Sequence, residues 1–268
     1  MAFTIREARL LCAVLCSVFW AGCVPSHFHQ LPIDASVPTA NVPILIYHHI
    51  EDAPRTASRA QRRWFISPKK FESQMDWVAA HGFYPITMEQ LIAHLKHGQI
   101  LPSKPIVLTF DDGWKDHYSV VFLILKEHHF VGTFFVITDS VEHSAYMTWE
   151  QLRVMSAAGM DIQSHTVTHS RLSTLPLAKA RYEIIESKKV IEERLHRPVV
   201  VLAYPFGSYD DDVIAITKAA GLEGAATVSG LNGGYLLRAD RSYTLDRYAV
   251  ENDDDIDSIA RLKGFDPK

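Results

Sequence analysis

Apolar stretches of strand length alternate with longer stretches of helical periodicity along most of the chain. We predict strands over residues 43–50, 106–110, 132–137, 160–163, 199–203 and 245–250, and a short one near residue 225. We predict helices over residues 68–81, 88–97, 115–129, 148–159, 176–196 and 210–220, and a last one from about residue 255. This alternation favours a mostly parallel sheet or barrel, with functional groups at the C-terminal ends of the strands.

Length, composition and charge narrow the class of protein. With 268 residues, of which 47% are hydrophobic and 22% charged, the chain can form one large α/β domain or two small ones. The net charge of −4 argues against a dedicated nucleic-acid binder, because such domains carry a clear excess of basic residues. We therefore predict no nucleic-acid partner.

The N-terminus has the pattern of an export signal. Arg6 and Arg9 precede an apolar segment over residues 10–21, which is the size of a signal-peptide core and too short to span a bilayer comfortably. Once the signal was removed, Cys23 would be the single remaining cysteine. An exported chain with one cysteine has no internal disulfide and must rely on its core for stability.

The end of this segment, Trp20-Ala21-Gly22-Cys23, resembles the lipobox of bacterial lipoproteins, although leucine is usual where Trp20 stands. We predict a lipoprotein-type signal peptide over residues 1–22, a lipid on Cys23 and anchoring to a membrane. An ordinary cleaved signal with an incidental cysteine is the alternative. The expected location is the bacterial cell envelope, facing the periplasm if the organism is Gram-negative.

Residues 23–42 carry several prolines and no apolar periodicity, so we interpret them as a tether between anchor and domain. The folded domain is then predicted to cover residues 43–268.

Two adjacent carboxylates end the apolar run over residues 106–110. Asp111 and Asp112 would repel each other at the end of a buried strand unless a cation or a shared proton compensates them. His165 and His169 follow another predicted strand, on a β-branched segment that favours a turn over a helix. Two imidazoles and one carboxylate suit zinc or a similar first-row ion and leave positions open for water and substrate. The second aspartate would then be free to act as a base.

These residues carry a family resemblance. Thr109-Phe110-Asp111-Asp112-Gly113, followed by Ser164-His165-Thr166-Val167-Thr168-His169, resembles the first two motifs of the polysaccharide deacetylases, the NodB-homology domain of carbohydrate esterase family 4. The resemblance extends from about residue 43 to residue 250. It implies an α/β fold, a distorted (β/α) barrel with mostly parallel strands, and metal-dependent removal of acetyl groups from N-acetylated polysaccharides.

The resemblance also implies residue roles. Asp111 resembles the family's general base. Asp112, His165 and His169 resemble its metal ligands. The ion expected is a divalent metal, Zn²⁺ first. Tyr204-Pro205-Phe206-Gly207 resembles the third motif, in which the backbone N–H after the proline faces the oxyanion, here that of Phe206.

The sequence departs from the family pattern at two places. Ala203 stands where the third motif commonly has an arginine that orients the catalytic aspartate, and no histidine follows His196 to act as the acid. For the arginine, Arg247 is a possible replacement, with a surface ion pair as the alternative.

For the acid, Tyr47-His48-His49 resembles the permuted arrangement of the branch that deacetylates exported poly-N-acetylglucosamine. Because side chains alternate along a strand, we expect only one of His48 and His49 to face the site, and the resemblance favours His48 as the acid.

Three questions stay open at this stage. The arginine-rich stretch over residues 55–63 is either a lid or substrate-facing loop, or a solvated surface loop. Trp114 and Tyr118 either line a sugar-binding groove or pack in the core. The departures also leave two rival functions, a non-catalytic carbohydrate-binding lipoprotein and a hydrolase of O-acetyl esters.

Overall fold

The computed structural model describes residues 42–228, 237 and 241–257. Eight strands alternate with helices along this part of the chain, as predicted. The strands are β1 (Ile44–Tyr47), β2 (Tyr84–Ile86), β3 (Pro105–Phe110), β4 (Thr133–Val136), β5 (Asp161–Ser164), β6 (Val201–Ala203), β7 (Gly224–Val228) and β8 (Leu245–Ala249).

Seven of the strands close into a parallel barrel. Their order is β1-β8-β7-β6-β5-β4-β3, and pairing of β1 with β3 closes the ring. β2 lies outside the ring and pairs with the first half of β3, while β4 pairs with the end of β3 from Thr109. Because β2 and β4 share one edge of β3, the barrel is distorted. The predicted fold class, a distorted (β/α) barrel, is confirmed.

Helices surround the barrel, with one exception. They are α1 (Arg59–Arg62), α2 (Pro68–Ala80), α3 (Met88–His97), α4 (Phe122–Glu127), α5 (Trp149–Ala157), α6 (Leu177–Leu195) and α7 (Asp211–Ala219). The exception is α1, which buries no residue and belongs to the loop over residues 55–63. Several helices begin where local capping requires, because Ser67, Thr87 and Thr148 each accept a hydrogen bond from the N–H three residues on. No helix in the described ranges is both long and apolar enough to cross a membrane.

Side chains of alternating strand positions build two cores. One lies between barrel and helices, where Tyr47, Phe110 and Phe134 stack with ring centroids 5.5 and 4.8 Å apart. The other contains inward-facing residues such as Val107, Phe135 and Ala203. The same alternation brings polar side chains to the barrel interior at its two ends.

The structure differs from the predicted elements in a few places. β2 and α1 were not predicted, because three or four residues carry too little periodicity to identify an element. The predicted helix over residues 115–129 begins as a π-helix, His117–Val121, before it continues as α4. On α2, Gln74 is buried although it is polar, and Trp77 is half-buried and stacks on His81. Most of the last predicted helix lies outside the described residues.

Candidate active site

The chain turns sharply where β3 ends, and the turn separates the two aspartates. Asp112 and Gly113 both have left-handed backbone conformations, with φ of 75° and 81°. A Cβ on Gly113 would lie 3.3 Å from Cγ1 of Val136, so glycine suits this close approach. As a result Asp111 stays with the barrel interior, whereas Asp112 turns towards the end of β5.

Asp111 forms a buried ion pair with Arg247 of β8. The Arg247 guanidinium donates from Nη1 to Oδ1 and from Nη2 to Oδ2 of Asp111, each at 2.7 Å. It also donates to Oγ1 of Thr109 at 3.1 Å and lies over the ring of Phe135. Arg247 is 1% exposed, so the alternative of a surface ion pair is wrong.

This pairing decides the charge of Asp111. Burial alone would raise the pKa of Asp111, but the charges of Arg247 and His165 outweigh burial and hold that pKa well below its usual range. The carboxylate is therefore ionised and oriented by a two-pronged contact. Ala203, where the family pattern has its arginine, contributes its backbone carbonyl instead, which accepts a hydrogen bond from Nδ1 of His165 at 2.8 Å.

Asp112, His165 and His169 converge on one point. Their candidate ligand atoms lie within 4.8 Å of one another. Oδ1 of Asp112 is 3.5 Å from Nε2 of His165 and 3.4 Å from Nε2 of His169. The other oxygen of Asp112 accepts a hydrogen bond from Nε1 of Trp114 at 3.0 Å, which orients the carboxylate. The residues predicted as metal ligands are thus brought together.

The electrostatics of this cluster fit a cation. Oδ1 of Asp112 is buried and has no hydrogen-bond partner within the described part of the chain. Burial and the nearby charge of Asp111 raise the pKa of Asp112 to about 7, and burial lowers the pKa of His165 to about 3. A neutral imidazole and an uncompensated carboxylate are what a divalent ion requires as ligands. The site can therefore hold a metal ion.

A carboxylate on α6 holds the turn that carries the two histidines. Oε2 of Glu183 accepts from the backbone N–H of Val167 at 2.9 Å and of Thr168 at 2.8 Å, and Oε1 accepts from the Thr168 hydroxyl at 2.6 Å. Thr166 and His169 both adopt positive φ, 69° and 61°. Glu183 therefore stabilises a strained turn that aims both histidines at Asp112.

His48 and His49 both line the cavity above the cluster. The expectation that only one of them could face it is wrong, because β1 ends at Tyr47 and strand alternation no longer applies. Their surroundings still differ. The charges of Asp111 and Arg247 act on His48, whose pKa burial lowers to about 4, while the ring of His49 stacks between Phe65 and Trp114. His48 is thus the histidine that is electrostatically linked to Asp111.

The turn after β6 forms another wall of the cavity. Tyr204 and Phe206 line it, and Phe206 has φ of 58°. Phe206 is 56% exposed, and its ring lies 4.5 Å from the His169 ring and 4.3 Å from the guanidinium of Arg171. A Cβ on Gly207 would approach Oγ1 of Thr227 to 2.9 Å, so a glycine is required after Phe206. The predicted motif thus lies beside the metal-ligand cluster.

The cavity has a volume of about 680 Å³ and is partly roofed by the arginine-rich loop. Pro54, Thr56, Ala57 and Gln61 line it, whereas the arginines of the same stretch are exposed. The loop therefore faces the cavity on one side and solvent on the other. Of the two aromatic residues left open by the sequence, Trp114 lines the cavity, whereas Tyr118 packs against the outer core.

The comparison with known families agrees with this geometry. The family model for polysaccharide deacetylases matches residues 98–225, a stretch that contains the aspartate pair, both histidines and Phe206. This chain contains a polysaccharide deacetylase domain. The resemblance drawn from the sequence motifs is confirmed.

Relatives of the deacetylase domain support the same assignment. The chain is 28% identical over 211 residues to YxkH of Bacillus subtilis, named for a polysaccharide deacetylase, covering 79% of this chain and 72% of YxkH. It is 25% identical over 225 residues to the poly-β-1,6-N-acetyl-D-glucosamine N-deacetylase of Staphylococcus epidermidis, covering 79% and 76%. The deacetylase PplD of Streptococcus pyogenes, solved with acetate, superposes with a TM-score of 0.75 at 26% identity, over 82% of this chain and 96% of PplD.

Sequence reasoning missed one residue that supports the candidate site. Glu183 lies within a long helix whose other charged residues are mostly solvated, and it belongs to no recognisable motif. Only the packing of α6 against β5 brings its carboxylate to the histidine turn. The signal that could have found it is its position on the buried side of the α6 helical period, where a glutamate is unusual.

Proposed function

We propose that the domain is a metal-dependent hydrolase that removes N-acetyl groups from an N-acetylglucosamine-containing polysaccharide of the bacterial cell envelope. The observation that carries the proposal is the cluster of Asp112, His165 and His169 beside the Asp111–Arg247 pair, in a cavity that His48 also lines. The name of the Staphylococcus epidermidis relative supports the choice of polysaccharide.

In this proposal Asp112, His165 and His169 hold the ion, and one carboxylate with two imidazoles suits zinc or a similar first-row ion. A bound ion of this kind polarises the acetamide carbonyl and makes a water molecule more acidic. Nδ1 of His165 is engaged with the Ala203 carbonyl, which leaves Nε2 as its ligand atom.

Asp111 acts as the general base. It takes a proton from the water as the new C–O bond forms on the acetyl carbon. Arg247 keeps the Asp111 carboxylate ionised and fixed while it does so. The negative charge that develops on the carbonyl oxygen is stabilised by the backbone N–H of Phe206, in the turn begun by Tyr204 and Pro205.

His48 acts as the general acid. The C–N bond breaks as His48 delivers a proton to the nitrogen, because an amide anion is too poor a leaving group to depart unprotonated. Burial favours neutral His48 in the free enzyme, and the negative charge that develops on the substrate favours its protonated form. The products are acetate and a free amine on the sugar.

The cellular location belongs to the same proposal. The signal peptide over residues 1–22, the lipid on Cys23 and the tether over residues 23–42 would hold the domain at a membrane of the cell envelope, where exported polysaccharide is available. These segments lie outside the described residues, apart from residue 42.

The direct test is acetate release by the purified, zinc-loaded chain from poly-β-1,6-N-acetylglucosamine, peptidoglycan, chitin oligomers and an O-acetylated polysaccharide. We expect release from at least one N-acetylated polymer, and no release by Asp111→Asn. Release confined to O-acetyl esters would replace the proposal with an esterase. Retention of zinc without release from any polymer would favour the carbohydrate-binding alternative.

A further inference from the structure

The backbone that carries His48 is held outside the barrel ladder. β1 ends one residue earlier, so the sheet does not determine where residues 48–50 run. On one side, the N–H of His49 donates to the Trp64 carbonyl at 3.1 Å, and the N–H of Ile66 donates to the His49 carbonyl at 2.9 Å. The opposite side is held by side chains from the segment that follows the catalytic aspartates.

His117 supplies the contact closest to His48. Its Nε2 lies 2.6 Å from the backbone carbonyl oxygen of His48. Because a carbonyl oxygen only accepts hydrogen bonds, Nε2 of His117 must carry the proton and donate it. The His117 ring is fully buried and lies 5.8 Å from the ring centroids of both Phe110 and Phe134, which hold it in place.

Asp116 supplies a second contact on the same side. Its Oδ2 accepts a hydrogen bond from the N–H of Ile50, and the residue is 8% exposed. Asp116 and His117 thus contact the backbone on both sides of His49. They stand at the start of the π-helix, only a few residues after Asp111 and Asp112. One short segment therefore carries the base, a candidate metal ligand and the supports of the acid.

We propose that His117 is a positioning residue that fixes the proton donor His48 over the substrate nitrogen, with Asp116 as its second support. The inference rests on the proposed function, in which His48 protonates the leaving amine. Misplacement of a catalytic group by about 1 Å can reduce a rate by about 100-fold, so a hydrogen bond to the backbone of His48 itself would matter for catalysis.

The test compares two substrates that differ in their need for an acid. Acetate release from an N-acetylated polymer requires protonation of nitrogen, whereas 4-nitrophenyl acetate loses a stable phenolate without it. The variant His117→Phe removes the donor and keeps a buried ring of similar size. His117→Gln retains an N–H near the position of Nε2.

We expect His117→Phe to lose at least about 10-fold in release from the polymer and to stay within about twofold on the aryl ester, with unchanged zinc content. His117→Gln should recover most of the loss. His48→Ala should give the same selective loss, and the double variant His48→Ala/His117→Phe should lose no more than His48→Ala alone, because both changes remove one function. The control His128→Phe alters a half-buried histidine at the end of α4, which does not line the cavity, and should leave both activities unchanged.

Other results would overturn the inference. An equal loss on both substrates, or an unchanged rate on the polymer, would show that His117 is only structural. If His117→Phe fails to fold, Asp116→Ala must show the same selective loss, and its absence would count against the proposal equally. Wild-type protein that cleaves the ester but no N-acetylated polymer would overturn the proposed function itself, which is a distinguishable result.

Discussion

Asp111 and Asp161 are both buried carboxylates of the same barrel, but they lie at its opposite ends and have different partners. Asp111 follows the C-terminal end of β3 and pairs with the guanidinium of Arg247. Asp161 begins β5 and, within the described part of the chain, accepts hydrogen bonds only from neutral donors, namely the Gln163 amide, the Thr133 hydroxyl and the N–H of Glu89. Burial raises the pKa of Asp161 to about 6, whereas the Asp111 pKa is lowered.

The difference distinguishes the C-terminal end of the barrel strands, where the candidate site lies, from the N-terminal end. Backbone strain occurs at both ends, since Lys104, with φ of 47°, directly precedes β3. Among the described residues, eight besides glycine have positive φ, and four of these, Asp112, Thr166, His169 and Phe206, belong to the candidate site. At the other end Asp161 contacts the first turn of α3 through Glu89, which joins helix to barrel. A charged pair therefore holds the buried carboxylate at the candidate site, whereas neutral hydrogen bonds hold the one at the other end.

The largest effect is expected from removing the carboxylate of the metal-ligand cluster. Asp112→Ala should lose bound zinc and reduce acetate release by at least about 1,000-fold, because two imidazoles alone bind an ion weakly. Zinc content after gel filtration and acetate release measure the two effects. The exposed Asp76→Ala is the control and should change neither. Full zinc retention by Asp112→Ala would contradict the ligand assignment.

The buried ion pair should matter for both stability and catalysis. Arg247→Met leaves the Asp111 carboxylate buried and uncompensated, so we expect a loss of about 3–5 kcal/mol in the free energy of unfolding. Acetate release should fall by about 100-fold or more. Urea unfolding and steady-state kinetics measure these losses.

A double variant and a surface arginine serve as controls for that pair. Asp111→Asn/Arg247→Met should recover part of the lost stability, because no unpaired charge remains buried. Arg153→Met, at an exposed arginine of α5, should change stability by less than about 0.5 kcal/mol. An Arg247→Met protein as stable as wild type would show that the ion pair does not stabilise the barrel.

A moderate effect is expected from the support of the histidine turn. Glu183→Ala removes the acceptor of three hydrogen bonds from the turn, so zinc affinity should fall by about 10-fold or more, while saturating zinc restores most of the activity. Competition with a chelator measures the affinity. Glu193→Ala, at an exposed glutamate of the same helix, is the matched control. Unchanged zinc affinity in Glu183→Ala would leave Glu183 a purely structural role.

The smallest catalytic effect is expected at the N-terminal end of the barrel strands, where Asp161 lies. Asp161→Asn should leave kcat unchanged and lower the free energy of unfolding at pH 4 by about 1–3 kcal/mol, because one of the donors facing Asp161 loses its acceptor. The folded pKa, about 6, is above the unfolded value of about 3.9, so the contribution of protonated Asp161 is complete below the unfolded pKa and is lost as pH rises through 6.

The advantage of wild type over Asp161→Asn should therefore shrink by about 2–3 kcal/mol between pH 4 and pH 7. Urea unfolding at several pH values measures it. An advantage that grows with pH would mean that the three donors outweigh burial and keep Asp161 ionised.

Local chemistry made several features predictable from sequence. The helix starts at Ser67, Thr87 and Thr148 depend on hydrogen bonds that span three residues, so a short motif contains all of their information. The same holds for the aspartate pair and for the two histidines four residues apart. Strand length and apolar content were enough to predict the barrel strands, although β2 was too short to be recognised.

What only the tertiary structure decided depends on contacts between distant segments. Arg247 meets Asp111 across 136 residues because closure of the barrel brings β8 and β3 to either side of β1. Glu183 reaches the histidine turn because α6 packs on β5, and His117 reaches His48 because β1 and β3 are neighbours. Sequence by itself determined which residues could do the chemistry. Their charge states and orientations were decided by partners that come together only when the barrel closes, since burial and pairing are properties of the folded chain.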